Sequence, residues 1–288
     1  MNILLAVDGS DNSYEAVRAL KYFARAETLT LLHVLDVPKP AYPMMVPEVA
    51  RELYADLEQA MKEDGEQLLE QIRSLLPMDS GPVTKQLVTG SPTEVIVATA
   101  ESVQADLIVM GARGHGPVKE RLFGSVSHRV LTMAPCAKLI VKEPMQSLRR
   151  ILLPLQGQTD AEAAIRFLGL KPFRDPVDLV LFTVLPPTRP PWPAGAQAAE
   201  PLERRALQSA QDFIDDNIGR LRTLGYEAGG TAALGSPAVT ILEQADKLRP
   251  DLILMGSRGR SGVTRFVLGS VSHAVLHKAH CPMLVFES

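Results

Sequence analysis

Gly111-Ala112-Arg113-Gly114, nine further residues and Gly124-Ser125 return later in the chain as Gly256-Ser257-Arg258-Gly259, nine residues and Gly269-Ser270. The register is constant, since 256 − 111 and 269 − 124 are both 145. The repeat runs on: residues 105–110 match 250–255, Gly90-Ser91-Pro92 matches Gly235-Ser236-Pro237, and Val126-Ser127-His128 matches Val271-Ser272-His273. The openings 3–9 and 151–157 agree at a slightly longer offset. A period this long marks a duplicated domain, and each copy is large enough to bury a core of its own. Residues 1–145 and 146–288 are therefore predicted as two domains.

Each copy alternates short apolar runs with amphipathic stretches. In the first, 2–7, 29–35, 83–88, 107–110 and 137–142 read as strands, the first almost wholly apolar, as for a strand buried on both faces. Between them, 11–25, 48–76, 91–102 and 125–133 read as helices. The long helix carries Val49, Leu53, Leu57, Met61, Leu68, Ile72 and Leu75 on one side, and Ser91-Pro92-Thr93-Glu94 is a capping box with proline at the first helical position. The second copy predicts strands at 151–155, 179–184, 227–233, 252–255 and 283–287, with helices at 159–168, 201–224, from 236, and 270–278. Gly229-Gly230 weakens the third of these strands. This alternation predicts an α/β, Rossmann-like fold: two tandem, doubly wound, five-stranded parallel sheets. Ligands of such sheets bind beyond the carboxyl ends of the strands, where both glycine loops leave the fourth strand.

Glycines let backbone N–H groups crowd around an anion, and a helix N-terminus adds partial positive charge. The loops thus point to phosphate. A net charge of −3 argues against a general nucleic-acid binder. No apolar run reaches membrane-spanning length, and the chain enters a strand at once, which predicts a cytoplasmic protein. Only two cysteines occur, Cys136 and Cys281, at equivalent repeat positions, so no structural disulfide is expected.

The pattern strand–Gly-x-x-Gly-x9-Gly-Ser, present twice, resembles the ATP-binding branch of the universal stress protein family. The opening Leu4-Leu5-Ala6-Val7-Asp8-Gly9-Ser10 and the closing Ala134-Pro135-Cys136-Ala137-Lys138-Leu139-Ile140-Val141 look like that family as well. The likeness covers both copies, as in tandem-domain members. It implies an adenine nucleotide alpha hydrolase-like fold, with ATP and Mg2+ as cofactors. Gly111, Gly114, Gly256 and Gly259 would then line the ribose and phosphate approach, where a Cβ would collide. Gly124, Ser125, Val126 and Ser127, with Gly269, Ser270, Val271 and Ser272, would open a helix whose N–H groups and hydroxyls face phosphate oxygens. Asp8 would accept from the nucleotide's hydroxyls or position magnesium. Val34 and Val184 would meet the adenine through their backbone. The resemblance further implies an intrachain pseudo-dimer and a homodimer, with the fifth strands meeting across it. Gln156 stands where Asp8 stands, which puts metal and ribose contacts in doubt in the second copy but not phosphate binding.

Two functions follow. One is a nucleotide-sensing regulatory or stress-response protein acting by conformation or partner contact. The other is an enzyme of the same fold, at most a slow ATPase or autophosphorylating protein. No Gly-x-x-x-x-Gly-Lys-Ser/Thr loop, kinase signature or Ser–His–Asp arrangement is present, so no catalytic residue is assigned. Arg113, Lys119, Arg121, Arg258, Arg260 and Arg265 are either phosphate contacts or solvated loop charges. His273, His277, His280 and Cys281 have the look of zinc ligands, yet His273 and Cys281 have repeat equivalents in His128 and Cys136. Two proline-rich loops, 36–47 and 186–201, place Tyr42 and Trp192 near the expected base.

Overall fold

The computed structural model describes residues 1–38, 47–114, 123–187, 193–257 and 268–287, with the side chains of the two long helices described from 54 and from 200. Two compact units divide the chain, the first drawn mostly from Met1–Cys136 and the second mostly from Glu143 onward.

In the first unit the strands are β1 (Asn2–Val7), β2 (Thr28–Leu35), β3 (Val83–Thr89), β4 (Leu107–Gly111) and β5 (Ala137–Val141). They lie in the order β3-β2-β1-β4-β5, and β1 runs parallel to both β2 and β4. The helices are α1 (Asp11–Ala19), α2 (Pro47–Leu75), α3 (Pro92–Ser102) and α4 (Ser125–Met133). Leu4, Leu5, Leu31, Leu32, Leu107 and Ile108 are fully buried, which explains why these strands read as continuous apolar runs. Chain direction across the sheet reverses between β1 and β4, so the turns after those two strands flank one crevice.

The second unit repeats the plan with β6 (Arg150–Pro154), β7 (Asp178–Leu185), β8 (Glu227–Leu234), β9 (Leu252–Gly256) and β10 (Met283–Phe286), in the order β8-β7-β6-β9-β10. Its helices are α5 (Gln158–Gly169), α6 (Pro193–Thr223), α7 (Pro237–Leu248) and α8 (Ser270–Lys278). The doubly wound, parallel α/β fold expected for each copy is what forms. Among the described residues no helix is long and apolar enough to cross a membrane.

Several local expectations give way. The first helix stops at Ala19, and a single 3-10 turn carries Leu20–Tyr22. The buried side of α2 is Gly65, Leu69 and Ile72, while Leu57 and Leu75 are exposed. Gly65 lies in close contact there. A Cβ on it would lie 2.8 Å from Leu87 Cδ1, so the helix packs its glycine against β3. Ser91 stands at the N-cap of α3 but makes no side-chain cap bond. Helix α6 starts at Pro193, leaving Pro201 inside it, because proline at the first position is itself a good helix start. The Gly229-Gly230 strand is complete: a Cβ on Gly230 would sit 2.3 Å from the Leu181 carbonyl oxygen, so close approach to β7 requires the glycine.

The repeated Asp-Leu pair ahead of the fourth strand has a structural role in both units. Asn2 N–H donates to Asp106 Oδ2 at 2.7 Å, tying the start of β1 to the start of β4. In the second unit Arg149 and Arg150 N–H donate to Asp251 Oδ2 at 2.8 and 2.9 Å, and Ser147 Oγ donates to Asp251 Oδ1. Burial pushes the Asp251 carboxyl up, but the Ser147 and backbone hydrogen bonds, helped by the Arg150 charge, outweigh it and hold the group below its ordinary value. A depressed folded value stabilises the fold above the unfolded carboxylate range, near pH 4, and the contribution disappears as pH falls through the folded value. The Asp251→Asn variant is expected to lose about 1–2 kcal/mol at pH 7, the low end for charge-assisted bonds because the group is partly solvated. Urea unfolding at pH 7 and at pH 3 should show that gap closing in acid. An equal gap at both pH values would contradict the assignment.

Candidate functional site

The first unit's crevice is built on the end of β1. Gly9 has φ of +81°, a left-handed conformation that suits glycine, and turns the chain into α1. Ser10 caps that helix by accepting from Ser13 N–H. Its Oγ lies 2.6 Å from Asp8 Oδ1 and 2.9 Å from the Arg113 carbonyl, and Ser10 N–H donates to the same Asp8 oxygen at 3.1 Å. Ser10 therefore ties the turn after β1 to the loop after β4. Asp8 itself is exposed, and a Cβ on Gly114 would lie 2.2 Å from its Oδ2. Gly114 thus lies directly against the carboxylate.

Strand β2 outruns β1: pairing ends at Val7 opposite His33, leaving Val34 and Leu35 beyond it. His33 Nδ1 sits 2.8 Å from the Val7 carbonyl and, as the protonated nitrogen, donates to it. The side of Val34 that faces β1 is thereby left without a strand partner, at the place expected for an adenine edge.

The loop after β4 returns at Phe123, which is buried, and Gly124, whose N–H donates to the Ala112 carbonyl at 2.9 Å. Gly124 is the N-cap of α4, with no side-chain cap bond and no acid in the first turn. The first N–H groups of α4, at Ser125 and Val126, and the exposed Ser125 therefore open the helix on the crevice side with no acid of the first turn against its partial positive charge. Ser127 does not join them. Its side chain is buried and its Oγ lies 2.8 Å from the Ala112 carbonyl and 3.0 Å from the Gly124 carbonyl, so it fastens the loop instead of facing phosphate. At Gly111 a Cβ would lie 2.7 Å from the Asn12 carbonyl carbon and 2.8 Å from Ser13 N, so the glycine admits the backbone of α1.

The universal stress protein family model matches residues 1–142 and again 147–287. The chain belongs to the universal stress protein family. A universal stress protein of Mycolicibacterium smegmatis is 26% identical over 297 residues, covering 96% of this chain and 95% of that one. Another, from Thermus aquaticus, is 37% identical over 142 residues, which is 49% of this chain and 97% of the relative. Among solved structures, a universal stress protein from Archaeoglobus fulgidus superposes with a TM-score of 0.68 at 24% identity, covering 99% of this chain and 96% of that one. That likeness bears on the fold alone.

The second universal stress protein unit keeps some of this architecture and alters the rest. Thr183 Oγ1 donates to the Leu155 carbonyl at 3.0 Å, doing what His33 does, and Val184 lies beyond the end of β6 as Val34 lies beyond β1. Leu268 is buried where Phe123 is, and Gly269 N–H donates to the Ser257 carbonyl at 2.8 Å. Gly269 caps α8 with no side-chain bond or first-turn acid, and Ser270 and Val271 open the helix. Ser272 is buried and donates to the Gly256 carbonyl at 2.8 Å, so it too is a fastener. Gly256 is buried. The turn after the first strand differs more. Asp8 and Gly9 separate Val7 from the Ser10 cap, whereas Gln156 alone separates Leu155 from the Gly157 cap. Where Asp8 N–H finds Ser13 Oγ at 3.2 Å, Gln156 N–H finds Asp160 Oδ2 at 3.1 Å.

Gly259, Tyr42, Trp192, Lys119, Arg121, Arg258, Arg260 and Arg265 lie outside the described residues. Of the zinc-like quartet, His273 and His277 are brought together, with ring centroids 4.4 Å apart. Among the described residues no group of three histidine, cysteine or acidic side chains is arranged to hold a metal. Ser10 and Asp160 escaped the sequence reading. A serine before the Asp11 helix was a legible N-cap signal, but its reach to Arg113 needed the fold.

Proposed function

We propose that this universal stress protein is a nucleotide-sensing regulatory protein whose two domains, 1–145 and 146–288, each take up an adenine nucleotide, the first as ATP with Mg2+. The observation that carries the reading is the uncapped, acid-free N-terminus of α4, together with Gly114 lying against the Asp8 carboxylate. Anionic phosphates suit the α4 N–H groups, and the open edge of Val34 suits the hydrogen-bonding edge of a base. Mg2+ fits as well. It needs only one or two carboxylates when phosphate oxygens and water complete its shell, and Asp8 is an exposed oxygen donor against which Gly114 lies. Signalling then runs through partner contact or a change of conformation on binding.

Freshly purified protein should release an adenine nucleotide on denaturation, or bind added ATP in calorimetric titration with Mg2+ present. Micromolar affinity corresponds to about −8 kcal/mol, within reach of four to six phosphate contacts at about 1.5–3 kcal/mol each once entropic losses are counted. Absence of both released nucleotide and ATP binding would overturn the proposal.

A further inference from the structure

We propose that the outer edge of β3 takes up an extended, basic polypeptide segment as an added strand. The proposal is independent of the nucleotide reading. Leu29 N–H bonds the Pro82 carbonyl at 2.8 Å and Gly90 N–H bonds the Leu35 carbonyl at 3.0 Å. Residues alternate sides along a parallel strand, so the N–H and C=O groups of Val83, Lys85 and Leu87 face away from β2. As the last strand in its order, β3 presents those groups on an edge.

The second unit shows how such an edge is closed. On β8, Ala232 N–H donates to Gln211 Oε1 at 3.0 Å, and Arg222 Nη2 donates to the Ala228 carbonyl at 2.9 Å. Both capping side chains come from α6. The corresponding helix of the first unit is α2. There, polar side chains of α2 turn back onto their own helix. Glu63 accepts from Gln59 Nε2 at 2.8 Å, and Ser74 Oγ donates to the Gln71 carbonyl at 2.7 Å. Among the described residues no side chain caps Val83, Lys85 or Leu87. An unblocked edge is a template for strand addition, which proteins ordinarily suppress.

Beside this edge a groove of about 660 Å3 runs between α2 and β3, lined by Glu63, Glu66, Gln67, Glu70, Lys85 and Leu87. The three glutamates, spaced three and four residues apart, share one helix face. Lys85 pairs with Glu70, leaving the charges of Glu63 and Glu66 for an occupant. Alternate side chains of an added strand point to one side, so an occupant with lysine or arginine at every second position meets the acidic rim. A second copy of this chain would bring the same acidic rim against it, which disfavours self-pairing.

The test uses the full chain and a fluorescent heptapeptide of alternating lysine and valine, read by anisotropy. Comparison peptides replace lysine with glutamate, or carry N-methyl groups at alternate residues in either phase. The lysine peptide is expected to bind, the glutamate peptide to fail, and one N-methylated phase to bind at least about tenfold more weakly. Glu63→Lys with Glu66→Lys should weaken binding to a similar extent. Leu87→Pro removes an outward N–H together with the side chain that packs against Gly65, and should abolish it. If that variant fails to fold, the N-methylated peptides decide. No binding of the lysine peptide, equal binding of both N-methylated phases, or self-association at β3 without peptide uptake would overturn the proposal.

Discussion

Valine in place of Gly124 is expected to abolish nucleotide binding by the first unit, a loss of at least about a hundredfold, or roughly 2.7 kcal/mol. A Cβ on Gly124 would meet the Ala112 carbonyl at 3.4 Å, Ser127 Oγ at 3.5 Å and Arg113 Cα at 3.6 Å, all ordinary contacts. Alanine should therefore be accommodated. The two further methyl groups of valine extend about one bond length beyond that shell, into the backbone of the loop or into the position proposed for phosphate. Either way the first turn of α4 must move. Because Gly124 N–H and Ser127 Oγ both bond Ala112, that movement also frees the loop from β4. Calorimetric titration of parent, Gly124→Ala and Gly124→Val with ATP and Mg2+ checks this, with circular dichroism to show that the variants fold. Normal binding by the valine variant at the first site would mean the loop does not hold phosphate.

The two sites should differ by about ten- to a hundredfold in affinity, with the second less dependent on magnesium. A neutral amide is a poor magnesium ligand, and one lost charge-assisted contact is worth roughly 1.5–3 kcal/mol. The structure strengthens the case beyond the identity of Gln156. The turn is a residue shorter, its serine cap is replaced by Gly157, and the nearest acid is Asp160, whose side chain is buried and accepts from Gln156 N–H. The carboxylate has in effect moved from the lip of the crevice to its floor, where it supports the turn and is shielded from a hydrated cation. Titrations with and without Mg2+ should resolve a metal-dependent and a metal-independent event, and Asp8→Asn should remove most of the difference between them. Two equally magnesium-dependent sites, or an Asp8→Asn variant indistinguishable from the parent, would refute the asymmetry.

The duplication, the doubly wound α/β plan implied by alternation and the position of the glycine loops were all legible in the residues. They depend on local period and on register between repeats, which a linear chain displays. The directions of side chains at the site were not legible. Ser125 and Ser127 are two residues apart in one helical turn, yet one faces solvent and the other donates into the loop, because rotation of α4 is set by the packing of Val130 and Leu131. Gly111 and Gly114 looked alike as loop glycines. One admits the backbone of α1 and the other admits a carboxylate.

Hydrophobic period, glycine spacing and the repeat therefore determined the fold, the family likeness and the place of the crevice, since buried parallel strands demand those patterns whatever surrounds them. Tertiary structure alone decided which groups share that crevice. The meeting of Ser10 with Arg113 spans 103 residues, and the closure of the β8 edge by Gln211 spans 21. Such contacts arise from how helices settle on a sheet, as where Gly65 lies against β3. The same physics leaves β3 open while β8 is closed, although the two strands descend from one repeated pattern.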